Sequence, residues 1–263
     1  MTKSEVKYSI TIPVYNEASR VEDTLKSLYD QVDKDGLPIA KEHYEVVIAY
    51  SPSQDGTKEV VLSFKERYPE FNLDIVDVKP KGLVPALITG MKHAIAKHFD
   101  PFAMGRGLIL LLTHADCVHQ NDWLYYLVTT LESSDAAISV SSCYYDRRQF
   151  LSRPRLWSLI SRTMNARDKI NEITGGLPEG RGYAVYAKDY VEAGGIKEFY
   201  QLSNGKFIDH CSDDMDFGAE IREMGKSIVF AKNSKVRADS RRVDQDIALM
   251  IKGLTYGKDG ILS

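Results

Sequence analysis

The chain has 263 residues, of which 43% are hydrophobic and 27% charged, with a formal net charge of −3. This composition is typical of a globular protein with a large core, and we find no repeat and no low-complexity tract. The nearly balanced charge argues against a dedicated nucleic-acid binder, since such proteins usually carry a clear excess of Lys and Arg.

The first predicted elements are a strand and a helix joined by a polar turn. Apolar and polar residues alternate over residues 7–13, and apolar positions recur at helical spacing over residues 18–33. Pro13 ends the strand ladder, so Tyr15 and Glu17 fall at its carboxyl end. Ligands bind at that edge in open α/β sheets. A turn whose side chains merely cap the helix is about equally compatible with this local chemistry.

The alternation of strands and helices continues through the first half of the chain. Strands are expected near 45–50, 72–78, 108–113 and 136–144, and helices near 56–67, 82–98 and 121–132. This order predicts parallel pairing with right-handed crossovers, as in a Rossmann-like half that would hold a nucleotide.

The second half is less regular, and no linker divides it from the first. The pattern predicts helices near 148–168, 187–193 and 214–224, and strands near 226–231 and 234–238. The glycine-rich residues 174–182 are interpreted as a mobile lid over a site.

Six segments in this order resemble motifs of the family 2 glycosyltransferases. They are IPVYNE (12–17), SQDGT (53–57), KG (81–82), LILLLTHADCVHQNDWL (108–124), GRGYAVYAKDYVEAGG (180–195) and SDDMDFGAEIREMG (212–225), with VRADSRR (236–242) as a further likeness. The resemblance implies a single GT-A domain, an α/β fold with a mostly parallel central sheet and helices on both faces. Residues 1–117 would form the nucleotide-sugar-binding half, 118–240 the acceptor and catalytic half, and 241–263 a C-terminal tail.

The resemblance also implies a metal-dependent hexosyltransferase of the inverting type, with Mn²⁺ or Mg²⁺ as cofactor. Asp116, after Ala115, matches the second Asp of the family's Asp-x-Asp motif, which contacts the metal. His114 stands where the first Asp would be, and imidazole can ligate Mn²⁺. The structural alternatives are that Asp116 caps the helix starting near residue 121 and that His114 is a buried, hydrogen-bonded histidine.

Three carboxylates crowd the start of the helix near 214–224. The macrodipole alone favours acidic residues there, yet carboxylates this close also repel, which can raise a pKa toward a value suited to a general base. By resemblance Asp214 is the catalytic base, with Asp213 as the alternative one residue away.

The nucleotide is assigned to the first half by the same resemblance, through Pro13, Tyr15 and Glu17. The family's base-reading Asp falls at Ser51 or its neighbour Tyr50, and neither is acidic, which argues against uracil as the base.

For three further side chains the sequence allows either a ligand contact or another role. Lys81 reaches a phosphate or is an exposed lysine. Arg181 is a candidate for the donor diphosphate or for an acid group on the acceptor. Asp55 is expected to cap the helix near 56–67 rather than to contact a ligand.

Residues 147–169, which begin at Arg147 and end at Lys169, carry seven basic residues opposed by Asp168. Such a stretch is most often a solvated helix face. It could instead dock an anionic acceptor such as a lipid phosphate, a phosphorylated sugar or DNA.

Two other functions remain compatible with the sequence. A nucleotidyltransferase would also use a nucleotide and a metal, but it usually has a glycine-rich basic loop after its first strand. A non-catalytic binding protein on a GT-A scaffold is kept open by His114 and by the missing acid at Ser51.

Cysteine usage and apolar run lengths indicate the compartment. Cys117, Cys143 and Cys211 form neither a disulfide framework nor a CxxC site, which favours a reducing compartment. No signal peptide precedes the first strand, and the longest apolar run, residues 108–112, is too short to span a bilayer. We therefore expect a cytoplasmic protein without a transmembrane segment, which could form a homo-oligomer.

Overall fold

The computed structural model describes residues 6–79, 81–98, 107–178, 181–197, 200–201, 207–208 and 213–243. Cys211, residues 179–180 of the predicted lid and the tail beyond residue 243 lie outside these ranges, as do the side chains of Asp213 and Arg242. Cys117 and Cys143 are buried free thiols.

A mixed, mostly parallel eight-stranded sheet forms the centre of the fold, with strand order β3-β2-β1-β4-β7-β6-β10-β5. Its strands are β1 (Tyr8–Val14), β2 (Tyr44–Tyr50), β3 (Leu73–Asp77), β4 (Ile109–Leu112), β5 (Cys117–His119), β6 (Ile138–Tyr144), β7 (Tyr183–Tyr186) and β10 (Ile228–Ala238). A separate two-stranded sheet pairs β8 (Tyr200–Gln201) with β9 (Phe207–Ile208).

Helices cover both faces of the large sheet, and each face has its own apolar core. One core includes side chains of α1 (Val21–Tyr29), α2 (Thr57–Arg67) and α4 (Trp123–Glu132). The other includes side chains of α3 (Leu83–His98), α6 (Ala187–Glu192) and α7 (Asp213–Glu223). The predicted single α/β domain with a mostly parallel sheet is confirmed.

The main departure from the predicted order is β7, which the sequence pattern does not identify as a strand. It lies between β4 and β6 and is antiparallel to both. The two strands predicted over residues 226–238 are one strand, β10, whose register shifts between Ala231 and Lys235. The four residues of β7 carry too little periodicity to be told from a turn, whereas the equally short β4 is predicted from its unbroken aliphatic run.

The basic helix α5 (Pro154–Thr174) begins later than predicted. Residues Arg147–Phe150 form a separate 3-10 turn, capped by Asp146. Pro154 then occupies the first turn of the helix, where its missing N–H costs nothing and its fixed φ suits the start.

The described part of the predicted lid is packed against the body of the protein. A Cβ at Gly175 would lie 1.8 Å from the Ile228 carbonyl oxygen, and one at Gly218 of α7 would lie 2.5 Å from Pro178 Cδ. Both glycines therefore permit a close approach of this segment to its neighbours, and the described residues do not form a loop that stands free of the surface.

Gly90 sets how closely α3 lies on the sheet. A Cβ at this position would be 2.4 Å from Thr11 Cγ2 on β1, a distance that real Cβ contacts do not reach. We expect Gly90→Ala to lower the free energy of unfolding by about 1–3 kcal/mol, since overpacking outweighs the better helix propensity of Ala. Urea denaturation measures this change. Adding Thr11→Ser removes the clashing methyl and should restore much of the loss; an unimproved double variant would contradict the explanation.

Candidate functional site

A pocket opens where β1, β2 and β4 end. The strand order reverses between β1 and β4, and this switch point is where open α/β sheets bind ligands. The predicted nucleotide and metal residues that line it are Pro13, Tyr15, Glu17, Ser51, Lys81, His114, Ala115 and Asp116. Side chains separated by a hundred positions in the sequence thus share one concave surface.

The loop after β1 is locked to the loop after β2. Asn16 has a left-handed backbone with φ 53, a conformation that Asn tolerates better than most residues. Its N–H donates to Ser53 Oγ at 3.0 Å, and its side-chain oxygen accepts from the Gln54 N–H at 3.0 Å. The Glu17 N–H donates to Thr57 Oγ1 at 2.9 Å. These bonds fix the turn that carries Tyr15 and Glu17.

Asp55 joins the same two loops and, as the sequence predicted, binds the start of α2, although Gly56 holds the N-cap position itself. Its carboxylate accepts from the N–H of Thr57, the first residue of α2, at 3.2 Å, and from the Ala18 N–H at 3.0 Å. The Thr57 hydroxyl and these backbone donors hold the pKa of Asp55 below its ordinary value. Asp55 is not among the described residues that line the pocket.

An aromatic ring and a cation meet at the mouth of the pocket. Lys81 Nζ lies 3.5 Å from the centre of the exposed Tyr15 ring. A hydrogen bond with Lys81 lowers the pKa of the Tyr15 hydroxyl. Lys81 is therefore held at the pocket by a cation–π contact and offers an ammonium group to an anionic ligand.

Two carboxylates in the pocket are bridged by an arginine from the far end of the chain. Arg241 Nη2 donates to Asp116 Oδ2 at 3.0 Å and also to Glu17 Oε1. Burial opposes the charge of Arg241, but its bonds to Glu17 and Asp116 prevail and raise its pKa. The backbone adds a link, because the Asp239 N–H donates to the Asp116 carbonyl at 3.2 Å.

The sequence pattern does not predict this bridge, because it assigns residues from 241 onward to a tail. The VRADSRR segment gives a signal in its arginines, but nothing local shows that one of them reaches Asp116. The interpretation of Asp116 as the cap of α4 is wrong, since Asp122 holds the N-cap position of that helix.

His119 braces the segment that carries Asp116, and the sequence pattern does not predict this role either. Its ring is fully buried, with Nε2 2.8 Å from Thr113 Oγ1 and Nδ1 3.0 Å from Ser27 Oγ on α1. The ring also packs on Trp123, with centroids 4.3 Å apart. Because its partners lie 6 and 92 positions away, no local motif identifies this role.

The buried His119 predicts a loss of stability in mild acid. Burial lowers its pKa from 6.5 to about 3, so below pH 6.5 the unfolded chain takes up a proton that the native protein does not. The free energy of unfolding should therefore fall by about 1 kcal/mol between pH 7 and pH 5.5 from this group alone. Urea titrations at both pH values test this. His119→Gln should flatten the dependence while the partly exposed His43→Gln retains it; an equal slope in both variants would refute the assignment.

Asp214 lies at the start of α7, and its carboxylate accepts from the Tyr183 hydroxyl at 3.1 Å. Tyr183 is the first residue of β7 and pairs with Leu112, the last residue of β4. Helices α7 and α3 share one apolar core on the same face of the sheet, and the start of α3 forms a wall of the pocket. The geometry thus places Asp214 near the end of the strand that leads to Asp116, although it is not among the described lining residues.

Arg181 lies apart from the pocket around Asp116, while its predicted contact with an acid group of the acceptor stays a prediction. Its guanidinium carbon is 5.7 Å from the centre of the Tyr145 ring, and it lines a smaller pocket together with Cys143 and Arg167. Its carbonyl accepts from Thr113 Oγ1 at 3.0 Å, so the backbone is close to β4 while the side chain points toward β6. Arg181 is not among the described residues around Asp116.

The residues present fit a hard divalent cation that would take its other ligands from a bound phosphate. Asp116 and Glu17 offer carboxylate oxygens and His114 an imidazole. Within the described residues no three His, Cys, Asp or Glu side chains are grouped to hold a metal. That finding is compatible with Mg²⁺ or Mn²⁺ bound through one or two carboxylates and completed by substrate phosphates. The bridging Arg241 already supplies one positive charge to these two carboxylates.

Comparison with known proteins agrees with the fold. The model named Glycosyl transferase family 2 matches residues 9–193, well over half of the chain. The glycosyltransferase AglE of Haloferax volcanii is 30% identical over 134 residues, which are 51% of this chain and 38% of that protein. The probable glycosyltransferase YdaM of Bacillus subtilis is 29% identical over 138 residues, which are 51% of this chain and 28% of that protein. The chain thus spans well under half the length of these relatives.

Solved structures show the same architecture. The mannosyltransferase PcManGT from Pyrobaculum calidifontis, in complex with GDP-Man and Mn²⁺, superposes with a TM-score of 0.62 at 23% identity, over 90% of this chain and 57% of that one. TarS of S. aureus gives a TM-score of 0.55 at 14% identity, over 90% of this chain and 37% of that one. Among the described residues, no helix has the length and apolar character needed to cross a bilayer.

Proposed function

Because this chain belongs to glycosyl transferase family 2, we propose that it transfers a sugar from a nucleotide-sugar donor to an acceptor hydroxyl. The observation that supports this most directly is the pocket at the switch point of the sheet. It joins an aromatic ring, a lysine and two carboxylates at the edge where parallel strands end.

The nucleoside is assigned to the β1 and β2 side of the pocket. Pro13 and Tyr15 form an apolar wall, and Glu17 can accept from a ribose hydroxyl. Ser51 takes the place of the acid that would accept from the ring N–H of uracil, which argues against uracil as the base. Lys81 is placed to meet a phosphate oxygen.

The diphosphate is assigned to the side of the pocket formed by residues 114–116. Asp116, with His114, would hold Mn²⁺ or Mg²⁺, which when bound neutralises the charge of the departing nucleoside diphosphate. Arg241 keeps the Asp116 carboxylate in place from the opposite side. Arg241, a residue of the segment 241–263, thereby has a role in donor binding. Residues 1–117 are still proposed as the nucleotide-sugar-binding half and residues 118–240 as the acceptor half.

The acceptor is assigned to the α7 side. The Asp214 carboxylate would take the proton of the acceptor hydroxyl as its oxygen bonds to the anomeric carbon and the bond to the diphosphate oxygen breaks. A single in-line displacement of this kind inverts the anomeric configuration. The Tyr183 hydroxyl, by donating to Asp214, orients the carboxylate for that task.

A thermal-shift series on the wild-type chain tests the proposal. GDP, UDP and their mannose and glucose conjugates are added with and without Mn²⁺, since a ligand that binds the native state raises its melting temperature. We expect at least one diphosphate to stabilise the chain, and to do so more strongly with Mn²⁺. Slow release of the diphosphate from the matching sugar nucleotide distinguishes a transferase from a binding protein. No stabilisation by any nucleotide would reject the donor pocket.

A further inference from the structure

Helix α5 presents a long face that packs against nothing described. Of its 21 residues, Ile160 and Met164 are the buried ones. The residues on the opposite side recur at spacings of three and four, so they form one stripe along the helix. This outward stripe consists of Arg155, Leu159, Arg162, Ala166, Lys169, Ile170 and Ile173.

Three large aliphatic side chains in the stripe are left to solvent. Leu159 is 56% exposed, Ile170 57% and Ile173 86%. Single exposed aliphatic residues are common, but a row of them on one helix face marks an interaction surface.

The charges of the stripe are all positive. The side chains of Arg155, Arg162 and Lys169 make no hydrogen bond or ion pair with any residue in the described part of the chain. The two acidic side chains of α5 pair with residues on the sheet rather than with the stripe. Asp168 accepts from Ser142 on β6 at 2.6 Å, and Glu172 pairs with Lys232 on β10 at 2.6 Å. No carboxylate of α5 therefore neutralises the stripe from within it.

We propose that the outward stripe of α5 docks the chain on an anionic lipid surface. Aliphatic side chains gain by entering the boundary between headgroups and acyl chains, while Arg and Lys extend to the phosphates beside them. A second copy of the chain is a poorer occupant, because a face-to-face contact would oppose like charges. Nucleic acid would satisfy the cations but would leave the aliphatic residues in water.

The location of α5 relates this surface to the pocket. Its first turns, through Trp157, pack on Phe150 in a cluster that also holds Tyr145 and Val243. Val243 is two positions from Arg241, which reaches into the pocket. The stripe therefore starts at the pocket edge of the sheet. The docking goes beyond the proposed transfer, since it requires no sugar nucleotide and can be measured without one.

Co-sedimentation of the wild-type chain with lipid vesicles tests the inference. We expect binding to vesicles of two parts phosphatidylcholine and one part phosphatidylserine, and little binding to phosphatidylcholine alone. Each basic residue near such a surface contributes roughly fivefold, so Arg155→Gln, Arg162→Gln and Lys169→Gln together should weaken binding about 100-fold. Leu159→Asn, Ile170→Asn and Ile173→Asn should also weaken it at unchanged charge.

A matched control removes the same charge from other surfaces. Lys65→Gln, Lys92→Gln and Lys188→Gln lie on α2, α3 and α6 and are all exposed. This triple variant should bind vesicles nearly as well as the wild type, and circular dichroism melting confirms that all variants fold. Equal losses in both charge variants, or no wild-type binding to anionic vesicles, would overturn the inference. A dimer in light scattering that the Asn variant abolishes would assign the stripe to a second copy instead.

Discussion

Replacement of Asp214 by asparagine is expected to lower turnover by roughly 10²- to 10⁴-fold, the usual contribution of a positioned general base. Asparagine keeps the size of the side chain and its contact with the Tyr183 hydroxyl, but it cannot take a proton. Turnover is measured as release of nucleoside diphosphate from the sugar nucleotide, with water or a supplied acceptor as nucleophile. Donor affinity by calorimetry should be nearly unchanged, because the loss belongs to the chemical step.

Asp216→Asn is the matched control for this prediction. It removes one charge from the same helix two positions further on, and its turnover should stay within a few-fold of the wild type. Asp213→Asn tests the neighbouring assignment. If Asp214→Asn retains wild-type turnover while Asp213→Asn loses it, the base is one residue earlier; if neither loses it, α7 does not supply the base.

Replacement of Asp116 by asparagine is expected to remove the effect of Mn²⁺ on nucleotide diphosphate binding. Changes in the groups that support a metal ligand already cost 10- to 100-fold, so loss of the carboxylate itself should cost about 100-fold or more. Calorimetric titration of the nucleoside diphosphate found by thermal shift, with and without Mn²⁺, measures this. The weak affinity without metal should change far less.

Asp239→Asn separates this loss from a general disturbance of the same corner. Asp239 accepts from the Arg241 N–H at 2.8 Å and from Arg20 Nε at 3.0 Å, but it does not line the pocket among the described residues. Its variant should keep most of the Mn²⁺-dependent gain. An Asp116→Asn variant that still shows the full gain would mean that the cation binds elsewhere.

The sequence is sufficient to predict a site residue where that residue lies in the turn directly after a recognisable strand. The ends of β1 and β4 are predicted closely because apolar runs stop at polar residues there, and the turns after them carry Glu17 and Asp116. The role of Asp55 follows from its position two residues before the start of α2. In these cases the relevant contacts are local or are imposed by parallel strands that end at one edge.

Prediction fails where a side chain is positioned by distant parts of the chain. The antiparallel insertion of β7 depends on pairing with β4 and β6, which no short pattern encodes. The direction of Arg181 is not predicted, because its side chain turns toward Tyr145. Arg241 and His119 act through partners that become neighbours only after folding.

The contact between Arg241 and Glu17 spans 224 positions, nearly the whole described chain. A growing polypeptide leaving the ribosome would thus form β1 and β2 long before the guanidinium that neutralises their acidic corner has been synthesised. Until then the partly synthesised nucleotide-binding half would carry the negative charges of Glu17 and Asp116 without that counterion. The arrival of residue 241, rather than collapse of the amino-terminal half, is therefore the event that gives this corner its final electrostatic form.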